Sequence, residues 1–488
     1  MGTTSPSIPG TQPPASVAVV GAGITGLTAA HDLRARGIEV DVYEAGSRPG
    51  GPIRSWSEDG YLAEEGPNTL LLPDRALRQW IIDLGLSEAC LESSPSAHRR
   101  YLVRHGRPLA LPGNPLGWIT TPLFSLPGKL RILGDLFAGR AHPDTEESVA
   151  DFVRRRLGQE MLDYAINPLI SGIYAGDPER LSVREAFPRL HDIERRHRSL
   201  LIGQFAVARE RRRAGQVPRT QAPKVSFHGG LETLVTSLAR PLGSRLHLRS
   251  RVRSLMPVPG GWRVETGAEP GTSKIHRAVL LAAPAHRLAE IGLGTPGGDS
   301  LAWLGDLPHA PITTLVLGFR REEVAHPLDG FGVLVPEKEP IPILGVIFNS
   351  SLFPHRAPPG HVAVTCYLGG SRDPELALAS RDRAVATARS ALSGLLGAHG
   401  QPTFIHHRVH NPGIPQYTLG FGALRARLEA LEQRHPGLHF AGHFRNGIAL
   451  ADCITAGRTA ANRIEREGAP RAPTNASPSI ATPFRTSP

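Results

Sequence analysis

The feature that most restricts how this 488-residue chain can fold is a glycine-spaced turn near its N-terminus. A short apolar run at 17–20 leads into the turn, whose residues are Gly21, Ala22, Gly23, Ile24, Thr25 and Gly26. Gly21 permits a tight strand-to-helix turn, Gly23 lets a pyrophosphate approach the backbone, and Gly26 lets the helix pack on the strand. A second strand-like run ends on Glu44, whose carboxylate can accept hydrogen bonds from ribose hydroxyls. These residues predict a Rossmann-like βαβ unit that binds a dinucleotide.

The residues that follow favour a flavin over a nicotinamide. They continue the motif with Ala45, Arg48, Gly50 and Gly51, a pattern that resembles the large flavoprotein family of amine oxidases, phytoene desaturases and protoporphyrinogen oxidases. A glycine pair carries the backbone past the cofactor, and an arginine can offset phosphate charge. The alternative is a glycine turn with a surface arginine. Because the two motifs occur in tandem and in order, we expect non-covalently bound FAD.

Composition limits the remaining classes. The three cysteines, Cys90, Cys366 and Cys453, are far apart and form no CxxC pair, so we expect no disulfide framework, no metal site and a reducing, cytoplasmic compartment. No apolar run reaches the roughly 18 residues of a spanning helix, so membrane contact would be peripheral, on the inner face of the cell membrane. The polar, proline-rich residues 1–15 and the segment 467–488 are predicted to be disordered tails.

The net charge of +11 raises the question of an anionic partner. The arginines are scattered and lack an RNA-binding signature, so we expect no nucleic acid. A more localised feature is the segment 189–213, where arginines flank an apolar centre. This segment could lie on an anionic bilayer or attract a dianionic substrate; the alternative is a solvated helix whose apolar face packs on its own core.

Periodicity suggests that the chain leaves the nucleotide fold and returns to it. The expected class is α/β: a Rossmann-like FAD-binding domain, an antiparallel-sheet substrate domain and a helical insertion. We assign 16–90, 216–300 and 401–466 to the FAD-binding domain, 91–215 to the insertion and 301–400 to the sheet. Near the C-terminus, a strand ending at Ala441, a turn at Gly447 and a helix from about Asp452 would direct a helix N-terminus at the flavin.

Longer segments resemble the oxygen-dependent protoporphyrinogen oxidase family over nearly all of residues 16–466. They are EEGPNTL at 64–70, ISGIYAGDPERLSVREAFPRL at 170–190, DGFGVLVP at 329–336, GGSRDPELA at 369–377 and GIALADCITAGR at 447–458. The middle segments are not expected in amine oxidases.

The resemblance implies contact residues. For FAD they are Gly21 to Gly26, Glu44, Ala45, Arg48, Gly51, Gly66, Pro67, Asn68, Thr69, Val252, Ile448, Ala449 and Leu450, with Pro52 standing where the family more often has an aromatic residue or lysine. For substrate, Arg100, or its neighbour Arg99, would pair with a propionate. Leu334, Leu344 and Tyr367 would sandwich the macrocycle, and Ala175 and Gly176 would lend backbone groups.

The implied activity is oxidation of protoporphyrinogen IX to protoporphyrin IX in haem or chlorophyll biosynthesis. Six electrons leave in three flavin cycles, oxygen is the acceptor and hydrogen peroxide is released. Such a reaction requires no nucleophile, metal or general base, so no catalytic side chain is assigned. Coproporphyrinogen III as substrate, an amine oxidase or desaturase, and a non-catalytic porphyrin or flavin carrier stay open. Further partners would be an anionic membrane and a ferrochelatase, with the protein a monomer or homodimer.

Overall fold

The structure is a computed structural model that describes residues 16–139, 145–213, 222–267 and 272–468. The predicted tail at 1–15, and all but the first two residues of the predicted tail at 467–488, lie outside the described residues.

A five-stranded parallel sheet forms the centre of the nucleotide-binding fold. From edge to edge its strands are Leu246–His247, Glu39–Tyr43, Ser16–Val20, Ala278–Leu281 and Leu438–Phe440. The chain enters this sheet in three separate passes, within 16–43, 246–281 and 438–440. The central strands are buried along nearly their whole length, which explains their continuous Val and Leu content.

Smaller sheets and helices surround this layer. The strands are Ser273–His276, Gly261–Thr266, Val252–Val258 and Gly292–Leu293 in one sheet, Ser55–Glu58 and Tyr61–Glu64 in a second, and Leu70–Leu71, Lys224–Phe227 and Cys90–Glu92 in a third. The helices are Ile24–Ala35, Arg75–Asp83, Glu232–Ala239, Ala285–Leu288, Phe421–Arg434 and Leu450–Arg466.

The substrate-domain sheet has seven strands and is larger than the sequence suggested. In order they are Phe404–Pro415, His309–Arg320, His361–Gly369, Gly345–Ile347, Gly330–Leu334, Arg99–Arg104 and Arg107–Ala110, and all neighbours are antiparallel except 330–334 with 99–104. The last two strands had been assigned to the helical insertion, and Phe404–Pro415 to the nucleotide fold. The observed positions of these strands differ from the expected ones because pairing with distant strands, rather than local periodicity, decides which sheet a short strand joins. The helices Asn349–Leu352, Pro374–Ala377 and Arg381–Leu396 accompany this sheet.

The insertion is helical from residue 115 onward. Its helices are Pro115–Thr120, Leu126–Leu133, Val149–Arg156, Gln159–Met161, Asn167–Tyr174, Val183–Ala186, Pro188–His197 and Leu200–Arg213. The fully buried Arg156 lies 3.2 Å from Asp135 and also pairs with Glu194, so this subdomain has its own charged core. None of the helices in the described ranges combines the length and apolar character that crossing a bilayer requires.

Candidate cofactor and substrate site

The glycine turn has the geometry that the motif predicts. Gly21 has a φ of +105°, a conformation that favours glycine, and its N–H donates to the Tyr43 carbonyl at 2.8 Å. A methyl group at position 26 would lie 2.0 Å from the Gly21 carbonyl oxygen, so only glycine lets the helix start so close to the strand. A methyl group at position 23 would meet no atom within 4 Å. Gly23 therefore faces open space at the helix N-terminus, where a pyrophosphate fits.

The first and last helices of the nucleotide fold lie side by side and run in the same direction. Thr25, near the N-terminus of the first helix, lies against Gly457 in the middle of the last, and Arg36 lies 3.5 Å from Glu465 near the C-termini of both. The N-terminus of the last helix, where Ile448, Ala449 and Leu450 lie, therefore opens at the same end as the glycine turn. Both helix dipoles favour negative charge at this end.

Glu44 spans the turn by two backbone hydrogen bonds. One carboxylate oxygen accepts from Ala22 N–H at 2.8 Å and the other from Gly46 N–H at 2.7 Å. Each oxygen retains lone-pair capacity, so a ribose hydroxyl can still donate to it. Ser250 N–H donates to the Glu44 carbonyl at 2.8 Å, which brings the segment leading to the buried Val252 beside Glu44 and Ala45.

Arg48 has a role that the sequence did not indicate. Its guanidinium donates to three carbonyls of its own loop, those of Pro49 and Ile53 at 3.0 Å and of Gly51 at 2.9 Å. Burial lowers the pKa of Arg48. Arg48 thus fixes the loop that carries the exposed Gly51 and Pro52.

The loop of Gly66, Pro67, Asn68 and Thr69 connects the two parts of the site. A methyl group at Gly66 would lie 2.4 Å from the Pro52 carbonyl oxygen, so this loop and the glycine-pair loop adjoin. The Asn68 side-chain amide donates to the Tyr367 hydroxyl at 2.6 Å. A predicted cofactor residue, Asn68, and a predicted substrate residue, Tyr367, are therefore joined directly by this hydrogen bond.

Most of the predicted substrate residues cluster on the cofactor side of the large sheet. Leu344 and Ala175 pack in one apolar group with the half-buried Tyr367, and Leu344 N–H donates to the Tyr367 carbonyl at 2.8 Å. Leu334 packs with Leu102, and a methyl group at Gly172 would lie 2.7 Å from a Leu334 methyl carbon.

The backbone at Ala175 and Gly176 is engaged within the protein. Ala175 ends the helix Asn167–Tyr174 with a φ of +47°, and its carbonyl accepts from Ser371 N–H at 2.7 Å. Gly176 leaves room for Gln416, whose side-chain oxygen would lie 2.3 Å from a methyl group there. These contacts hold the Ala175 turn beside Leu344 and Tyr367, and the space over this face of the sheet is the candidate substrate cleft.

Arg99 and Arg100 face opposite sides of their strand. Arg99 and Tyr101 share one face, where both contact Asp329, and Arg99 is exposed. Arg100 shares the other face with Leu102, which belongs to the Leu334 cluster. Burial lowers the pKa of Arg100. Of the two arginines, Arg100 is the one directed toward the predicted substrate residues.

Sequence reasoning did not single out three polar residues near this cleft. Burial, and after it the charge of Arg100, lowers the pKa of Lys224, whose ammonium lies 5.8 Å from the centre of the Phe331 ring. Thr365 donates to the side-chain oxygen of Asn349 at 2.7 Å, and Asn349 donates to Asn68. Thr365 lies within an apolar strand and Asn349 follows another, so no motif in the sequence distinguishes either residue. Within the described ranges no group of three or more His, Cys, Asp or Glu residues could hold a metal ion.

The open space at Gly23, the two helix N-termini at one end of the fold and the remaining acceptor capacity of Glu44 suit a dinucleotide such as FAD. Residues 24–465 match the family model of flavin-containing amine oxidoreductases. The chain is 33% identical to the mitochondrial protoporphyrinogen oxidase of Nicotiana tabacum over 476 residues, 92% of this chain and 94% of that protein. It is 27% identical to the coproporphyrinogen III oxidase of Bacillus subtilis (strain 168), over 91% and 96% of the two chains.

Solved structures agree on the fold. The crystal structure of a protein described as a putative protoporphyrinogen oxidase from Exiguobacterium sp. 255-15 has a TM-score of 0.77 and 24% identity, covering 93% of this chain and 99% of that one. A putrescine oxidase double mutant has a TM-score of 0.67 and 17% identity, covering 92% and 99%.

Proposed function

The chain belongs to the flavin-containing amine oxidoreductase family, and on that premise we propose that it oxidises porphyrinogens, with protoporphyrinogen IX as its substrate. It is an FAD-dependent oxidoreductase. The names of its relatives support this substrate class, and the Nicotiana tabacum protoporphyrinogen oxidase compared above is more similar to it than the coproporphyrinogen III oxidase. The observation that carries the proposal is the cleft in which Arg100 borders an apolar group ending at Asn68 and Tyr367.

Bound FAD supplies the hydride acceptor, and the residues of this chain hold and shield the substrate. Leu334, Leu344 and the ring of Tyr367 offer a broad apolar surface for a macrocycle. Hydride loss from a methylene bridge leaves a cation that the flanking pyrroles stabilise, so the protein needs chiefly to position the bridge and exclude water. Oxygen is the proposed final acceptor, with hydrogen peroxide as its product.

Arg100 and Lys224 would anchor the carboxylates of the substrate. Both have pKa values lowered by burial, and a propionate bound near them would favour their charged forms. A charge-assisted hydrogen bond to a carboxylate is stronger in such a partly desolvated setting.

Coproporphyrinogen III is the second candidate substrate. It carries four propionates, two more than protoporphyrinogen IX, and Arg100 and Lys224 would serve either substrate. The Bacillus subtilis relative is named for this reaction. Relative turnover of the two porphyrinogens decides between them.

We also propose that the insertion docks on an anionic membrane surface. Its exposed large apolar side chains, among the described residues, are Leu116, Trp118, Ile119, Leu126, Leu130, Leu133, Leu136, Phe137, Leu169, Ile173, Ile202 and Phe205. The segment predicted for this role from sequence, 189–213, contributes Ile202 and Phe205 and the exposed Arg195, Arg196 and Arg209. Exposed apolar side chains and exposed arginines in one subdomain fit the boundary of an anionic bilayer. A ferrochelatase as recipient of the product, and a monomeric or dimeric state, belong to the same proposal.

The test is oxidation in air by the FAD-loaded protein. Porphyrin fluorescence should rise with both or one of the two porphyrinogens, and about one hydrogen peroxide should form per two electrons removed. Under anaerobic conditions, the flavin absorbance should fall when porphyrinogen is added. A flavin that stays oxidised would refute the oxidase and leave a porphyrin or flavin carrier.

A further inference from the structure

Four polar side chains form a row from the interior of the seven-stranded sheet to the cleft. Thr365 Oγ1 donates to Asn349 Oδ1 at 2.7 Å, Asn349 Nδ2 donates to Asn68 Oδ1, and Asn68 Nδ2 donates to the Tyr367 hydroxyl at 2.6 Å. The exposed fractions of Thr365, Asn349 and Asn68 are only 0%, 4% and 6%. Burying such groups costs free energy unless each is hydrogen-bonded, and apolar side chains would fill the same volume at lower cost.

The Gly66 carbonyl fixes the direction of this row. Asn68 Nδ2 lies 3.4 Å from that carbonyl oxygen, which can only accept a hydrogen bond. A reversed Asn68 amide would bring two oxygen atoms face to face. With the Asn68 amide held this way, its oxygen must accept from Asn349, whose own oxygen accepts from Thr365. Every donor in the row therefore points toward Tyr367.

The end of the row determines what the Tyr367 hydroxyl can do. Its oxygen already accepts from Asn68, so its own proton is available for a further acceptor. No other hydrogen bond of this hydroxyl occurs among the residues that the structure describes. Burial raises the pKa of Tyr367, so the group stays protonated at physiological pH. The ring packs beside Leu344 and Ala175, on the wall of the cleft.

We propose that Thr365 and Asn349 are positioning residues, which act through Asn68 to aim the Tyr367 hydroxyl proton at an acceptor in the cleft. The acceptor is either a nitrogen or carbonyl of the flavin or the electron-rich face of a pyrrole ring. The pyrrole alternative rests on the function proposed above, whereas the flavin alternative does not.

Three variants and a control test this. Tyr367→Phe removes the donor, Thr365→Val frees the Asn349 amide to turn, and the double variant combines the two. Thr313→Val is the matched control, because Thr313 is also buried in the same sheet and donates instead to the Ala377 carbonyl at 2.6 Å. Thr313 pairs with Leu368, on the face opposite to Tyr367.

The first measurement uses the FAD-loaded protein without substrate. If the flavin is the acceptor, Tyr367→Phe and Thr365→Val should both shift the flavin absorption bands and lower the midpoint potential, because donors stabilise the electron-rich reduced ring. If a pyrrole is the acceptor, the flavin is unchanged and both variants should bind protoporphyrin IX about three- to tenfold more weakly, the size of one neutral hydrogen bond.

The double variant separates positioning from general structural damage. Because Thr365 acts through Tyr367, the double variant should match Tyr367→Phe alone. Effects of Thr365→Val that persist when Tyr367→Phe is already present, or that equal those of Thr313→Val, would overturn the proposal. So would single variants that change neither the flavin nor porphyrin binding. If the protein oxidises no porphyrinogen, the proposed function is wrong. The midpoint potential of the flavin in the variants would still test whether Thr365 and Asn349 position the Tyr367 hydroxyl.

Discussion

Gly457 in the last helix lies against the backbone of Thr25 in the first, and a methyl group at position 457 would approach the Thr25 carbonyl oxygen to 2.4 Å. Gly457→Ala should therefore push the two helices apart, lower the free energy of unfolding by about 1–3 kcal/mol and weaken FAD retention. Urea unfolding and the flavin content of the purified protein measure both effects. Gly394→Ala is the control, since a methyl group at that exposed helix position meets no atom within 4 Å, and it should not destabilise the protein.

Gly23 and Gly26 should differ in what they affect. Gly26→Ala collides with the Gly21 carbonyl and should destabilise the protein even without FAD. Gly23→Ala has free space and an ordinary φ of −71°, so apoprotein stability should stay near wild type. The added methyl group would occupy the approach of the pyrophosphate, and FAD affinity should fall by about tenfold or more. Equal loss of apoprotein stability in the two variants would contradict this division.

Arg100→Ala should raise the Michaelis constant for the porphyrinogen by about tenfold or more, because a partly buried carboxylate would lose its cation. Arg99→Ala is the natural control, since Arg99 is exposed and pairs with Asp329 on the opposite face of the strand. Steady-state kinetics of both variants on one substrate compare them directly. If Arg99→Ala shows the larger rise, the propionate lies on the other face of the sheet.

His276 should make the protein less stable in acid. The residue is fully buried, lies 2.9 Å from the Ser16 and Tyr43 hydroxyls, and has a pKa lowered from 6.5 to about 4, chiefly by burial and despite the nearby Asp41. Between these two pKa values His276 is protonated in the unfolded chain but not in the folded chain. The free energy of unfolding therefore falls as the pH drops from about 6.5 toward 4.

The size of this effect can be isolated with His276→Gln. Between pH 7.5 and 5 the His276 contribution is about 2 kcal/mol, and the variant should lose that much less stability than wild type over the same interval. Urea unfolding of both proteins at the two pH values provides the comparison. Parallel losses in both would show that His276 is not the responsible group.

Leu130→Ser and Phe137→Ser should weaken binding to anionic vesicles without loss of fold, since these side chains are 59% and 89% exposed. Each apolar side chain removed from a bilayer contact should cost about 1.5–3 kcal/mol. Vesicle co-sedimentation at low and high salt measures this binding. Leu378→Ser, an exposed leucine of the substrate domain, is the control and should bind as wild type.

The glycine turn, Glu44 and the second glycine pair could be predicted because their geometry depends on neighbours within one βαβ unit. The same is true of the last helix, which was expected from about Asp452 and begins at Leu450, because it follows directly from a turn and a short strand. Arg48 shows the limit of such reasoning. Its residue type suggested a phosphate contact, but the nearest acceptors are carbonyls of its own loop, which a one-dimensional pattern does not distinguish.

Contacts between distant segments could not be predicted. The strand Arg99–Arg104 pairs with Gly330–Leu334, more than 200 residues away, and this pairing decides which arginine faces the cleft. The row from Thr365 to Tyr367 likewise needs the loop at Asn68, which is 299 residues from Tyr367. Short strands in such positions carry weak local preference, so tertiary packing determines their partners.

The three separate passes of the chain through the parallel sheet affect its synthesis. The strand Leu438–Phe440 and the helix Leu450–Arg466, which complete the flavin end of the fold, are the last described elements to leave the ribosome. The nascent chain must therefore carry an unfinished cofactor cleft through most of translation, with apolar strand edges exposed. Flavin binding is then a late event. A shortage of flavin would first reduce the amount of protein, through aggregation or proteolysis of newly made chains, and not the activity of each folded molecule.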